Sequence, residues 1–122
     1  MSTEAPRKGS VLVVDDDSAI RLLLRVNLET SGYEVLEAAT LGDARRHLRE
    51  APVDVVLLDM HVGHERGEAL IDELAEAGVP VALVTGSVEI DAYPGVAAAL
   101  SKPFTPEELE ETVARLAALR RG

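Results

Sequence analysis

Four places in this 122-residue chain set a chemically able side chain at the end of a short apolar run. Asp15-Asp16-Asp17 follows Val11-Leu12-Val13-Val14, and Asp59 follows Val55-Val56-Leu57-Leu58. Thr85 follows the run from Val79 to Val84, and Lys102 follows the run from Val96 to Leu100. Brought to one edge, Asp15, Asp16 and Asp59 repel one another unless a cation joins them. A hard divalent ion relieves that repulsion, and a few carboxylates completed by water suit Mg²⁺. A carboxylate such as Asp59 is also a nucleophile able to take a phosphoryl group as an acyl phosphate. The Thr85 hydroxyl and the Lys102 ammonium are then suited to the oxygens of that group.

Each of these residues has a plainer account. Three acids ahead of a helix favour its dipole, an Asp opens many loops, and a Thr or Lys at a strand end is ordinary surface. By position alone the two accounts of Asp59 balance; its company tips them. Asp17 reads as a helix cap or a solvated acid. Lys102 carries the most information, because the chain has two Lys, Lys8 and Lys102, against ten Arg. Lys8 lies in the polar N-terminal stretch, so the folded part keeps one ammonium where it otherwise uses guanidinium. A compact point charge suits a single phosphoryl oxygen, and a planar fork suits bidentate partners.

The elements that must position these side chains follow from periodicity. The runs Val11–Val14, Val53–Leu58 and Val79–Val84 are rich in Val and Leu without polar alternation, as in parallel strands buried on both faces. Tyr33–Ala38 and Val96–Leu100 are weaker runs of the same kind. Between them, Ile20, Leu23, Leu24 and Leu28 recur at helical spacing and stop at Ser31-Gly32. Thr40 to Asp43 resembles a capping box, closed by Ala51-Pro52. Leu70, Ile71 and Leu74 mark a third helix ending at Gly78. Thr105-Pro106-Glu107-Glu108 predicts a reciprocal cap with Pro at the first helical position, ahead of a stripe of Leu109, Val113, Leu116 and Ala117. Strand and helix alternate, except that Ser87–Ala92 holds at most a short helix before Tyr93-Pro94-Gly95. The pattern predicts an α/β fold with a parallel sheet and helices on both faces, whose ligands bind at the carboxyl ends of the strands.

Composition narrows the function classes. One domain of 13.0 kDa fits the length, with residues 1–10 expected as a mobile tail and 11–122 as the domain. With no Cys, disulfides, thiolate catalysis and Cys-ligated zinc are excluded. A net charge of −10 and the absence of Trp argue against direct nucleic-acid contact and anionic membranes. No apolar run is long enough to span a bilayer and no signal peptide precedes the domain, so a cytoplasmic location is expected.

Taken together in this order, Val13-Val14-Asp15-Asp16-Asp17, Leu57-Leu58-Asp59-Met60, Val84-Thr85-Gly86 and Ser101-Lys102-Pro103-Phe104 resemble the receiver domain of two-component response regulators. The resemblance runs from about Val11 to about Leu119. It implies a flavodoxin-like, doubly wound five-stranded parallel sheet in the order 2-1-3-4-5 with five helices. It implies Asp59 as phosphoacceptor, with Thr85 and Lys102 contacting the phosphoryl group. It implies Mg²⁺ held by Asp16, Asp59 and the backbone carbonyl of His61, with Asp15 assisting, and a Lys102–Pro103 bond that is often cis. The chain departs from the family at Ala99, where an aromatic residue usually switches, at Gly86, at Gly63 in place of Pro, and in a shortened Thr85–Lys102 stretch. A short or irregular fourth helix and altered partner recognition are expected.

The function implied is that of a stand-alone phosphoacceptor. A histidine kinase or phosphotransfer protein donates the phosphoryl group, output passes through protein contact to a downstream protein, and catalysis is limited to self-phosphorylation and self-dephosphorylation. Two alternatives stand beside it: a pseudo-receiver that binds without phosphorylation, and a haloacid-dehalogenase-type phosphatase, which places its nucleophile on the first strand. His61 stands where similar proteins influence acyl-phosphate hydrolysis, so it is expected to tune that lifetime. His61 and His64 beside Glu65 also have the side chains of a transition-metal pair, although loop His residues are more commonly solvated. His47, among Arg45, Arg46 and Arg49, reads as part of a solvated face.

Overall fold

Val and Leu runs without polar alternation form strands wherever both faces can be covered. The computed structural model describes residues 8–59, 61–62, 65–85 and 95–121, with backbone alone for 61–62, 65–66, 85 and 120–121. In chain order its elements are β1 (Ser10–Val14), α1 (Ser18–Thr30), β2 (Glu34–Ala38), α2 (Leu41–Glu50), β3 (Val55–Leu58), β4 (His61–Val62), β5 (Glu65–Arg66), α3 (Glu68–Ala77), β6 (Val81–Thr85), β7 (Ala98–Ser101) and α4 (Pro106–Arg121). Five strands make one sheet in the order β2-β1-β3-β6-β7, every pair parallel. Counted within that sheet alone, the order is 2-1-3-4-5, as the resemblance implies.

Alternate residues of each strand feed two separate cores. Val11, Val13, Val55, Leu57, Ala82, Val84, Ala98 and Leu100 pack with Leu24 and Leu28 of α1 and Leu109, Val113 and Leu116 of α4. Leu12, Val14, Val56, Leu58, Val81 and Leu83 face the other way, toward Leu41 and Ala44 of α2 and Leu70, Ile71 and Leu74 of α3. Helices therefore cover both faces, and the central strands bury their side chains almost completely. Truncating one of these side chains, such as Leu116, costs about 2–5 kcal/mol.

Local signals act where the sequence places them. Thr105 and Glu108 cap reciprocally: the Thr105 N–H donates to Glu108 Oε1 and the Glu108 N–H to Thr105 Oγ1, both at 3.1 Å. Pro106 is the first residue of α4. Thr40 Oγ1 accepts from the Asp43 N–H at 3.0 Å, and α3 ends at Gly78 with φ 74°, a left-handed turn that glycine adopts without strain.

Several details differ from the sequence reading. Residues 8–10, counted there with the tail, are paired. The Lys8 N–H donates to Gly32 O at 3.0 Å and Glu34 N–H to Gly9 O at 2.9 Å, extending the pairing toward β2, and Ser10 opens β1. Leu23 is 49 % exposed, because the covered stripe of α1 runs through Leu24 and Leu28 instead. The small hairpin β4-β5, pairing His61 with Arg66 and Val62 with Glu65, carries no hydrophobic alternation to announce it. His47 is half-buried, with its ring Nε2 2.9 Å from the Glu37 carbonyl. The expected short helix after Thr85, with Gly86 and Tyr93, lies outside the described residues, as do Met60, Gly63, His64 and residues 1–7. No helix among the described residues is long and apolar enough to cross a membrane.

Candidate functional site

The crevice of a doubly wound sheet opens where connections leave neighbouring strands in opposite directions. Here that point lies between β1 and β3. The chain leaves β1 for β2 on one side and leaves β3 for β6 on the other. Val14 and Leu58, the last residues of the two strands, are register partners. The Asp59 N–H donates to Val14 O at 2.9 Å and the Asp15 N–H to Ala38 O at 3.1 Å. Sheet pairing thus carries both acids just past the strand ends and holds them side by side. Close packing continues beneath them: a Cβ on Gly67, at the entry to α3, would stand 2.9 Å from Leu58 Cδ2.

Asp15, Asp16 and Asp59 each offer a carboxylate oxygen, and these oxygens all lie within 4.8 Å of one another. Asp15 is 2 % exposed. Its Oδ1 accepts the Asp17 N–H at 2.9 Å, while its Oδ2 is buried without a hydrogen-bond partner. Burial pushes the Asp15 carboxyl above the ordinary value of 3.8; the Asp17 N–H opposes the rise, Asp59 adds to it, the Lys102 charge opposes it and Asp16 adds a little more. Asp17 is the cap of α1, its Oδ1 accepting the Ala19 N–H at 2.9 Å, so the third acid of the triplet is spent on the helix.

The far side of the crevice comes from β6 and β7. Thr85 and Ser101 are register partners at the ends of these strands, which brings Thr85 and the following Lys102 to the same sheet edge as the acids. Lys102 is half-buried, and the Lys102–Pro103 bond is cis. The Thr85 side chain lies outside the described residues. So does that of His61, whose backbone opens β4 two residues after Asp59. Ala99, at the usual aromatic position of the resemblance, is half-buried on β7 opposite Leu83.

A cluster of hard oxygen donors with one buried carboxylate oxygen lacking a partner fits a divalent cation such as Mg²⁺ better than a softer metal. Sequence reasoning missed one residue beside this cluster. Arg21, in the first turn of α1, donates from Nη1 to the Asp15 carbonyl at 2.6 Å. No local sequence signal marks it, because the contact depends on how α1 crosses the end of β1.

Comparison with known proteins agrees with this architecture. The family described as "Response regulator receiver domain" matches residues 11–114. The transcriptional regulatory protein AruR of Pseudomonas aeruginosa is 39 % identical over 110 residues, covering 81 % of this chain and 45 % of AruR. The phosphate regulon transcriptional regulatory protein PhoB of the same organism is 34 % identical over 122 residues, covering 92 % of this chain and 52 % of PhoB. Across such curated relatives the chain spans from 27 % to 52 % of their length. Among solved structures, a CheY-like response regulator receiver domain protein from Methanospirillum hungatei superposes with a TM-score of 0.84 at 27 % identity, covering 93 % of this chain and 96 % of that one. The chemotaxis protein CheY4 of Vibrio cholerae gives 0.80 at 26 % identity, covering 88 % and 98 %. With the strand order, the clustered acids and the family match in agreement, the chain belongs to the response regulator receiver domain family.

Proposed function

We propose that this domain accepts a phosphoryl group on Asp59 from a histidine kinase or phosphotransfer protein and signals by protein contact. The observation that carries the reading is the convergence of Asp15, Asp16 and Asp59 around a buried carboxylate oxygen without a partner, at the edge where β6 and β7 deliver Thr85 and Lys102. Asp15, Asp16, Asp59 and the His61 backbone carbonyl would hold Mg²⁺, which would supply positive charge for the phosphoryl oxygens.

An Asp59 carboxylate oxygen attacks phosphorus in line, and the bond from phosphorus to the donor imidazole nitrogen breaks. Lys102 meets the charge on one phosphoryl oxygen and the Thr85 hydroxyl donates to another. In dephosphorylation water attacks phosphorus, the bond from phosphorus to the Asp59 oxygen breaks, inorganic phosphate leaves and the carboxylate is regenerated, with His61 tuning that rate. An unchanged dephosphorylation rate in His61→Ala would remove the last assignment.

Several relatives are named as transcriptional regulatory proteins. For these 122 residues the net charge of −10 supports protein rather than phosphate-backbone contact, in the cytoplasm. Replacing the usual aromatic switch residue, Ala99 supports an output face that differs from those of relatives. The test is intact mass after incubation with acetyl phosphate, with and without Mg²⁺. A single Mg²⁺-dependent phosphoryl adduct, absent in Asp59→Asn, is expected. No adduct, together with no binding of beryllium fluoride, would favour a pseudo-receiver.

A further inference from the structure

Behind the acidic cluster stands a cation that helix stability does not explain. Arg21 occupies the first turn of α1, where the positive end of the helix dipole disfavours a guanidinium. Its contacts point elsewhere. Nη1 donates to the Asp15 carbonyl at 2.6 Å, and Nε donates to Glu37 Oε1 on β2 at 3.2 Å. The pair is largely covered, with the side chains 17 % and 27 % exposed. Glu37 is fixed in turn, its Oε2 accepting from Arg25 Nη1 at 2.8 Å.

The Asp15 carbonyl belongs to the rigid peptide plane that joins Asp15 to Asp16. Rotation of that plane swings the two carboxylates relative to each other and to Asp59. Other contacts fix the ends of the turn: Asp15 N–H on Ala38 O, Asp17 N–H on Asp15 Oδ1 and Arg21 N–H on Asp17 O. The Arg21 guanidinium holds the carbonyl between them, and a two-point anchor on Glu37 and Asp15 is what a planar fork provides and an ammonium does not.

We propose that Arg21, anchored by Glu37, is a positioning residue that clamps the Asp15–Asp16 peptide so that the carboxylates of Asp15, Asp16 and Asp59 converge on one divalent cation. The inference rests on the Mg²⁺ site proposed above. It makes a claim of definite sign. Charge counting alone says that removing a cation beside three acids tightens Mg²⁺ binding. Positioning says that it weakens it.

The experiment is calorimetric Mg²⁺ titration of the wild type, Arg21→Gln, Arg21→Lys, Glu37→Gln and Asp16→Asn, with the melting temperature of each in EDTA as a check of folding. Loss of an outer partner of a metal ligand typically weakens metal binding by about 10–100-fold, and Arg21→Gln is expected in that range. Arg21→Lys keeps the charge without the fork and is expected between wild type and Arg21→Gln. Glu37→Gln is expected to weaken binding less than Arg21→Gln, and it stands in should Arg21→Gln not fold. Unchanged or tighter Mg²⁺ binding in folded Arg21→Gln, or in Glu37→Gln standing in for it, would overturn the positioning role, even with a lowered melting temperature. A wild type that binds no Mg²⁺, or an Asp16→Asn that binds as well as wild type, would instead overturn the Mg²⁺ site itself and this inference with it.

Discussion

The two ends of the sheet treat the same residue type in opposite ways. At the amino-terminal end, Asp54 precedes β3 and pairs reciprocally with Ser10: the Ser10 N–H donates to Asp54 Oδ2 at 2.9 Å, and the Asp54 N–H donates back to Ser10 O at 2.9 Å. At the carboxyl end, Asp15 follows β1, is more deeply buried, and keeps one oxygen without a partner beside two further acids. Glu73 extends the contrast across the α2–α3 face. Hydrogen bonds from Arg45 hold its carboxyl below the ordinary value of 4.5, whereas burial pushes Asp15 above its own. Where a carboxylate is satisfied it ties elements together. Where it is buried and left short of a partner it costs stability, and beside two further acids it could hold a cation.

The largest effect that sharpens this contrast is on phosphorylation. Asp59→Asn is expected to lose the acetyl-phosphate adduct completely while Asp54→Asn keeps it, both read by intact mass. Next comes stability. Asp54→Ala leaves the Ser10 N–H without its acceptor, and denaturant unfolding should show a loss of about 1–2 kcal/mol. Asp15→Asn should move the other way in EDTA, gaining about 1 kcal/mol by removing a buried charge with an unsatisfied oxygen. A loss in both variants would break the comparison.

Linkage gives that gain a pH dependence. Because the folded-state pKa of Asp15 is raised, the folded protein holds this proton more tightly than the unfolded chain. Its contribution to metal-free stability is full below 3.8 and is lost as pH rises through the raised value. The advantage of Asp15→Asn should therefore be present at neutral pH and shrink as pH falls through that window. Glu73 runs the other way: its contribution is present above 4.5 and is lost as pH falls through the lowered value. Its side chain is 50 % exposed, so screening leaves Glu73→Gln with the smallest effect, about 0.5 kcal/mol or less.

Much of this molecule is legible in its sequence because few physical rules compete there. Short Val-rich runs without polar alternation suit strands covered on both faces, and Thr105-Pro106-Glu107-Glu108 can satisfy its own helix start. The clustering of Asp15, Asp16 and Asp59 follows from the same rule, since parallel strands place their carboxyl ends together. What stayed hidden depends on geometry between elements. The β4–β5 hairpin is two residues a side, too short for any period. His47 looks solvated among three Arg until the fold brings Glu37 within 2.9 Å. Arg21 is one of ten Arg, and only the crossing of α1 over the end of β1 sets its guanidinium on the Asp15 carbonyl.

The central claim, that the unmet charge at the carboxyl end is a cation site, is tested most directly by thermal melting across a Mg²⁺ titration. Binding to the folded state alone raises the melting temperature with ion concentration. The expected result is a saturable rise in wild type that disappears in Asp16→Asn and persists in Asp54→Asn. No Mg²⁺-dependent rise in wild type, or an equal rise in Asp16→Asn, would contradict it.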